Sequence, residues 1–110
     1  MTIASDQSQV CLDAVSACEI LLRETGNKKR LSQPIIKLLD ECAHICMGTF
    51  YAIQSVSVNA SSLALLCMGI CEECAEACDL FNDALFKQCA QACRYCSFIM
   101  YDLAIESPES

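Results

Sequence analysis

The sequence predicts an all-α fold, an antiparallel up-down-up-down four-helix bundle with a cysteine-lined core. Three observations predict it. Eleven cysteines fall among 110 residues. Cys42/Cys46, Cys67/Cys71, Cys74/Cys78 and Cys89/Cys93 form C-x-x-x-C pairs, and residues four apart share one helix face. Breaks rich in Gly, Asn, Pro and Ser divide the chain into long helical stretches with almost no support for strands. Short connections between long helices imply antiparallel neighbours, and the length implies one domain over residues 1–110.

The first helix is expected over about residues 5–24, with Ser5 or Asp6 as its cap and Gly26-Asn27 as its end. The second starts after Ser32, with Pro34 tolerated in the first turn, and covers about residues 33–54. The β-branched and capping residues of Ser55–Asn59 break the pattern. Asn59 or Ser57 then caps a third helix over about residues 59–79. Asn82 caps the fourth, over about residues 83–103, and Ser107-Pro108 ends the chain as a frayed tail.

At about 100° per residue, Cys67, Cys71, Cys74 and Cys78 share an arc of roughly 60°, with Glu72, Glu73 and Glu76 opposite. Cys89, Cys93, Cys96 and Met100 repeat the stripe on the fourth helix, with Lys87, Gln91 and Arg94 facing away. Cys11 and Cys18 share a face of the first helix. Such stripes with polar backs point inward. In an antiparallel pair, residues at one height have position numbers of constant sum. Cys67 with Cys96, Cys71 with Cys93 and Cys74 with Cys89 obey this, as do Cys46 with Cys67, Cys42 with Cys71, Cys11 with Cys96 and Cys18 with Cys89. The thiols therefore stack in layers. Cys11, Cys46, Cys67 and Cys96 form the first. Cys42, Cys71 and Cys93, beside Val15, form the second. Cys18, Cys74 and Cys89, beside Leu39, form the third. Cys78 follows near Leu22, Ile35 and Leu85. Phe50, Leu63 and Met100 form an apolar plug beyond the first layer.

Composition narrows the function. Apolar residues make up 55% of the chain, high for a small soluble protein and consistent with surface buried in an oligomer. The longest apolar stretch, Leu63 to Cys71, is too short to span a bilayer. The N-terminal residues lack a secretory pattern, so a cytoplasmic location with reduced thiols is expected. The odd cysteine count argues against a disulfide framework. A net charge of −7 argues against nucleic acid. The basic run Lys28, Lys29, Arg30 reads as a solvated loop beyond a helix C-terminus.

Thiolates select soft ions: Cu(I), zinc or iron-sulfur clusters. Zinc favours closed tetrahedral sites, one or two to a small domain. A continuous column of sulfurs suits many Cu(I) ions, which accept two or three thiolates. Sharing thiolates between ions limits the buried charge. The C-x-x-C spacings Cys71/Cys74 and Cys93/Cys96 keep a cluster reading open, although cluster motifs usually lie in loops. A buried cysteine can also be a small hydrophobe, but leucine would fill a core better than eleven thiols. A thiol redox sensor would need one or two cysteines singled out by a cation or helix N-terminus, and the stripes show no such selection. His44 lies roughly opposite the Cys42/Cys46 face and reads as a surface or subunit-interface residue. Met100 reads as core, with a soft ligand at the bundle end as the alternative. Met47 and Met68 read as packing. Tyr51, Tyr95 and Tyr101 are expected between helices or subunits. Nothing marks a catalytic residue.

With these stripes in view, DECAHIC (Asp40–Cys46), LCMGICEECAEAC (Leu66–Cys78) and QCAQACRYC (Gln88–Cys96) resemble the bacterial copper storage proteins, a family of cysteine-rich four-helix bundles. The resemblance runs from about Ile35 to Tyr101, and the helix 3 ladder is its most specific part. It implies storage of several Cu(I) ions inside the bundle, no enzymatic activity, and assembly as a homo-oligomer, a tetramer in that family. The implied metal ligands are Cys42, Cys46, Cys67, Cys71, Cys74, Cys78, Cys89, Cys93 and Cys96, with Cys11 and Cys18 added by position. Copper would arrive on a carrier ligand or chaperone and pass inward by thiol exchange. Val15 and Leu39 depart from a richer cysteine pattern, and mouth histidines are not evident. The Cys78 end is expected to be the loading end, because Phe50 and Leu63 close the other.

Overall fold

The computed structural model describes residues 3–26 and 31–106. Four helices follow in order: α1 (Ile3–Gly26), α2 (Gln33–Gln54), α3 (Ala60–Cys78) and α4 (Ala84–Ile105). No strand occurs among the described residues. Each helix packs on two neighbours, α1 on α2 and α4, and α3 on α2 and α4. This is the four-helix bundle the spacing predicts. The basic run at residues 28–30, Asn27 and the tail at Ser107-Pro108 lie outside the described residues.

The ends of the helices differ in detail from expectation. α1 already includes Ser5 and Asp6, so neither marks its start, but it ends at Gly26 as expected. Pro34 sits in the first turn of α2 as expected, where its missing N–H has no intrahelical partner to lose. The end of α2 is closed by paired bonds. Val56 N–H donates to the Ile53 carbonyl, and Ser57 N–H to that of Ala52. This pattern needs a left-handed residue, and Val56 supplies it with φ of 53°. Asn59 precedes α3 without a side-chain cap. Its own N–H donates to Ser57 Oγ at 3.0 Å. Asp83, not Asn82, caps α4. Its backbone is extended, and its Oδ1 accepts from Leu85 N–H at 2.9 Å. A carboxylate there also meets the positive end of the helix dipole.

Burial follows the predicted stripes. Every cysteine is at most 1% exposed, and Val15 and Leu39 are buried at the heights that lack thiols. Met100 is fully buried, while Phe50 and Leu63 are only half-buried. The expected plug therefore rests on Met100. Phe50 instead stands edge-on to exposed Tyr51, with ring centroids 5.3 Å apart. Tyr51, Tyr95 and Tyr101 all lie exposed on the outside rather than between helices of the chain. No described helix is long and apolar enough to cross a membrane.

Candidate metal centre

The four helices bring all eleven cysteines to the axis as free thiols. Sulfurs touch across helices. Cys46 Sγ lies 3.6 Å from Cys67 and 3.5 Å from Cys71. Cys67 is 3.7 Å from Cys96. Cys42 stands 3.9 Å from both Cys71 and Cys93. Cys18 is 4.0 Å from Cys74 and 3.8 Å from Cys89.

Three groups of sulfurs can each surround a metal ion: Cys46, Cys67, Cys71 and Cys96; Cys18, Cys42, Cys74 and Cys93; and Cys74, Cys78 and Cys89. Within each, all sulfurs lie within 4.8 Å of one another. The dimension is right for metal. Three sulfurs at the corners of a triangle about 4 Å on a side stand ~2.3 Å from its centre, a metal–thiolate bond length. Cys74 belongs to two groups, so neighbouring ions can share a sulfur.

These groups are not the equal-height layers. Cys46, Cys67 and Cys96 stay together, but Cys71 joins them and Cys11 does not. The expected third layer does meet, since Cys18 lies 4.0 Å from Cys74 and 3.8 Å from Cys89 and the last two share a group, but Cys18 and Cys74 also join Cys42 and Cys93. The cause is side-chain direction. Every Cα–Cβ bond on a helix tilts toward its N-terminus. The parallel pair α1 and α3 therefore shift their sulfurs toward the Met100 end, and α2 and α4 shift theirs the other way. Cys71 moves up to the next group, and Cys74 reaches up to it while still meeting Cys78 and Cys89. Cys11 moves past its group, and its Sγ donates toward Met100 Sδ at 3.9 Å. Counting positions gives backbone heights and misses this tilt.

The thiols also govern one another's charge. Hydrogen bonds from Cys11, Cys46, Cys71 and Cys96 hold the Cys67 thiol well below the ordinary range. Cys18, Cys42, Cys78 and Cys89 do the same for Cys74. Bonds from Cys18, Cys42 and Cys71 lower Cys93 to about 2. Others move up. The bond to Cys42 heads the causes that raise Cys18, and the same contact raises Cys71. The bond to Cys74 and burial push Cys78 up to about 12. The physical sense is plain. A sulfur to which its neighbours donate can carry charge, and where two lowered sulfurs share a group, as Cys74 and Cys93 do, the first pushes the second back up. Two thiolates about 4 Å apart repel by roughly 4 kcal/mol at an effective dielectric of 20. A filled group therefore needs cations among its sulfurs.

His44 takes no part in these groups. It is exposed, with Nδ1 2.8 Å from the Asp40 carbonyl oxygen and 3.7 Å from Asp40 Oδ1. The surface reading of the sequence is the one the fold realises. Met100 lies in the core, as read from the sequence, with its Sδ 3.9 Å from Cys11 Sγ. Its place at the next turn of the Cys89, Cys93, Cys96 stripe was the available signal.

A family model described as copper storage protein matches residues 2–99. The chain is 32% identical over 92 residues to the uncharacterized cysteine-rich protein YhjQ of Bacillus subtilis (strain 168), an alignment covering 81% of this chain and 84% of the relative. Among solved structures it is similar to the Cu(I)-bound copper storage protein BsCsp3. The TM-score is 0.83 at 27% identity, over 94% of this chain and 99% of that one.

Proposed function

The chain belongs to the copper storage protein family, and from that premise we propose that it stores several Cu(I) ions in its thiol column, in the cytosol, without catalysing a reaction. The observation that carries this reading is the pair of four-thiol groups, fully buried and linked through shared contacts. All eleven cysteines serve as ligands: Cys11, Cys18, Cys42, Cys46, Cys67, Cys71, Cys74, Cys78, Cys89, Cys93 and Cys96. Soft thiolates match a soft monovalent ion. Each Cu(I) replaces thiol protons and cancels one sulfur charge, so the column fills without accumulating the repulsion that bars full ionisation. Zinc would close one or two tetrahedral sites, whereas overlapping groups favour ions that share sulfurs. The Cu(I)-bound state of the similar structure supports the choice of metal.

The whole chain acts as one four-helix domain. Its core is packed with apolar and thiol side chains from all four helices, so the apo bundle is folded before metal arrives. Free thiols in this number call for a reducing compartment. A carrier ligand or chaperone delivers the copper. The chain assembles as a homo-oligomer, a tetramer by family resemblance. Exposed Leu65 and Leu66 on α3 and Tyr95, Phe98 and Tyr101 on α4 support a subunit contact there.

Anaerobic titration with Cu(I) against a competing chelator tests the storage reading, with metal analysis of the loaded protein. Several ions to a chain, colourless in the visible and absorbing in the ultraviolet, is the expected result. Saturation at one or two ions would defeat storage, and a brown chromophore would favour an iron-sulfur cluster.

A further inference from the structure

The three sulfur groups use every cysteine except Cys11. Cys11 is nonetheless fully buried on the axis. Its thiol donates toward the thioether of Met100 at 3.9 Å, and Met100 is itself fully buried. Met100 extends the sulfur column by one turn beyond Cys96. The geometry points to a mixed thiolate–thioether Cu(I) site formed by Cys11 and Met100, which takes the incoming ion before the all-thiolate groups do. This inference rests on the Cu(I) reading above.

Two arguments carry it, one of charge and one of surroundings. Cu(I) between a thiolate and a neutral thioether is uncharged overall, whereas Cu(I) between two thiolates keeps a negative charge. A neutral site is the easier one to form at the end of a buried column. The thioether is also the weaker donor, so an ion held there exchanges more readily than one inside a thiolate group.

The two ends of the bundle differ in lining. At the Met100 end, Ser8, Thr49 and Ser97 are buried polar residues, each beside or one turn from a column sulfur. Gln54 Nε2 donates to Ser8 Oγ at 2.9 Å, and Thr49 Oγ1 donates to the Ile45 carbonyl at 2.7 Å. The Cys78 end holds one buried polar residue, Thr25, amid more hydrocarbon. Phe81 stacks on Phe86 with centroids 4.2 Å apart, and Leu21 and Leu39 are buried below. Loading at the Met100 end departs from the sequence expectation, which places it at Cys78.

In the loading step the bond from Cu(I) to its carrier ligand breaks, and the Cys11 S–H proton passes to water or to that departing ligand. A Cys11 Sγ–Cu(I) bond forms, and a lone pair of Met100 Sδ completes the pair. Copper stays cuprous, and no electron is transferred. Exchange onto Cys67 or Cys96 then breaks the Cys11 Sγ–Cu(I) bond, the receiving thiol passes its proton to Cys11 Sγ, and the outer site is free again.

The test follows uptake of Cu(I) from a coloured chelate by stopped-flow, with Met100→Leu, a volume-conserving swap that cores tolerate. Met100→Leu is expected to slow uptake about tenfold while the ultraviolet thiolate absorbance at saturation stays close to that of the parent chain. Met47→Leu, at a half-buried packing position, keeps the parent rate. In the parent chain labelled with ¹³C-methyl methionine, the Met100 methyl resonance is expected to move on adding Cu(I), and those of Met47 and Met68 to stay. Parent-like uptake by Met100→Leu together with an unmoved Met100 methyl overturns the site. If the parent chain binds no Cu(I), the storage reading falls as well, and if it fills normally, only this inference falls.

Discussion

Cys46 Sγ and Cys71 Sγ lie 3.5 Å apart, although equal-height counting assigns them to different layers. Cys71 also reaches Cys42 at 3.9 Å and Cys67 at 4.0 Å. It therefore joins the two four-thiol groups along the axis. An ion moving down the column has to exchange sulfurs at this point.

Cys71→Ala should thus do more damage than its size suggests. Copper capacity is expected to fall by more than one ion, because both adjoining groups lose a contact. Removing one buried atom should cost the apo bundle only about 1 kcal/mol. Chelator-competition titration and urea unfolding of the same variant measure the two effects separately.

Loading should stabilise the fold, since only the native bundle gathers the sulfurs. An ion present at 1,000 times its dissociation constant adds about 4 kcal/mol at one site. Melting followed by circular dichroism should therefore shift upward by roughly 15 °C or more on Cu(I) loading. A strong Cu(I) chelator should reverse the shift. An unchanged melting curve would mean that copper binds outside the core.

The apo protein should weaken in alkali. Contact with Cys74 and burial raise the Cys78 thiol to about 12, from an ordinary value of about 9. Between these values the unfolded chain loses a proton that the native chain keeps. Stability from Cys78 is therefore complete below about pH 9 and is lost as pH rises toward 12. Cys93 has the opposite sign: its value of about 2 makes its contribution grow with pH up to about 9 and then level off. Urea midpoints of the reduced apo protein, measured between about pH 9 and about pH 11, should fall with rising pH.

Val56 offers a stabilising change. It holds a φ of 53° at the end of α2 and is 86% exposed. A β-branched residue is strained there, and its side chain gains little from packing. Val56→Gly should stabilise the apo bundle by about 1 kcal/mol, visible as a higher urea midpoint with unchanged slope.

The sequence by itself determined the helices, their inward faces and the presence of a sulfur column. Cysteines spaced three and four apart leave no other face for a core to use, and the Gly, Pro and Ser breaks leave little doubt where the chain turns. α2 begins and ends at the residues expected. The nearness of Cys46, Cys67 and Cys96 was also legible, because antiparallel neighbours of equal height must meet. Only the tertiary structure decided which thiols share a group, that Cys11 leans to Met100, and that Asp83 rather than Asn82 starts α4. Position numbers locate backbone atoms along an axis. The sulfurs stand off that axis on bonds tilted toward each helix's N-terminus, and antiparallel helices tilt them in opposite directions.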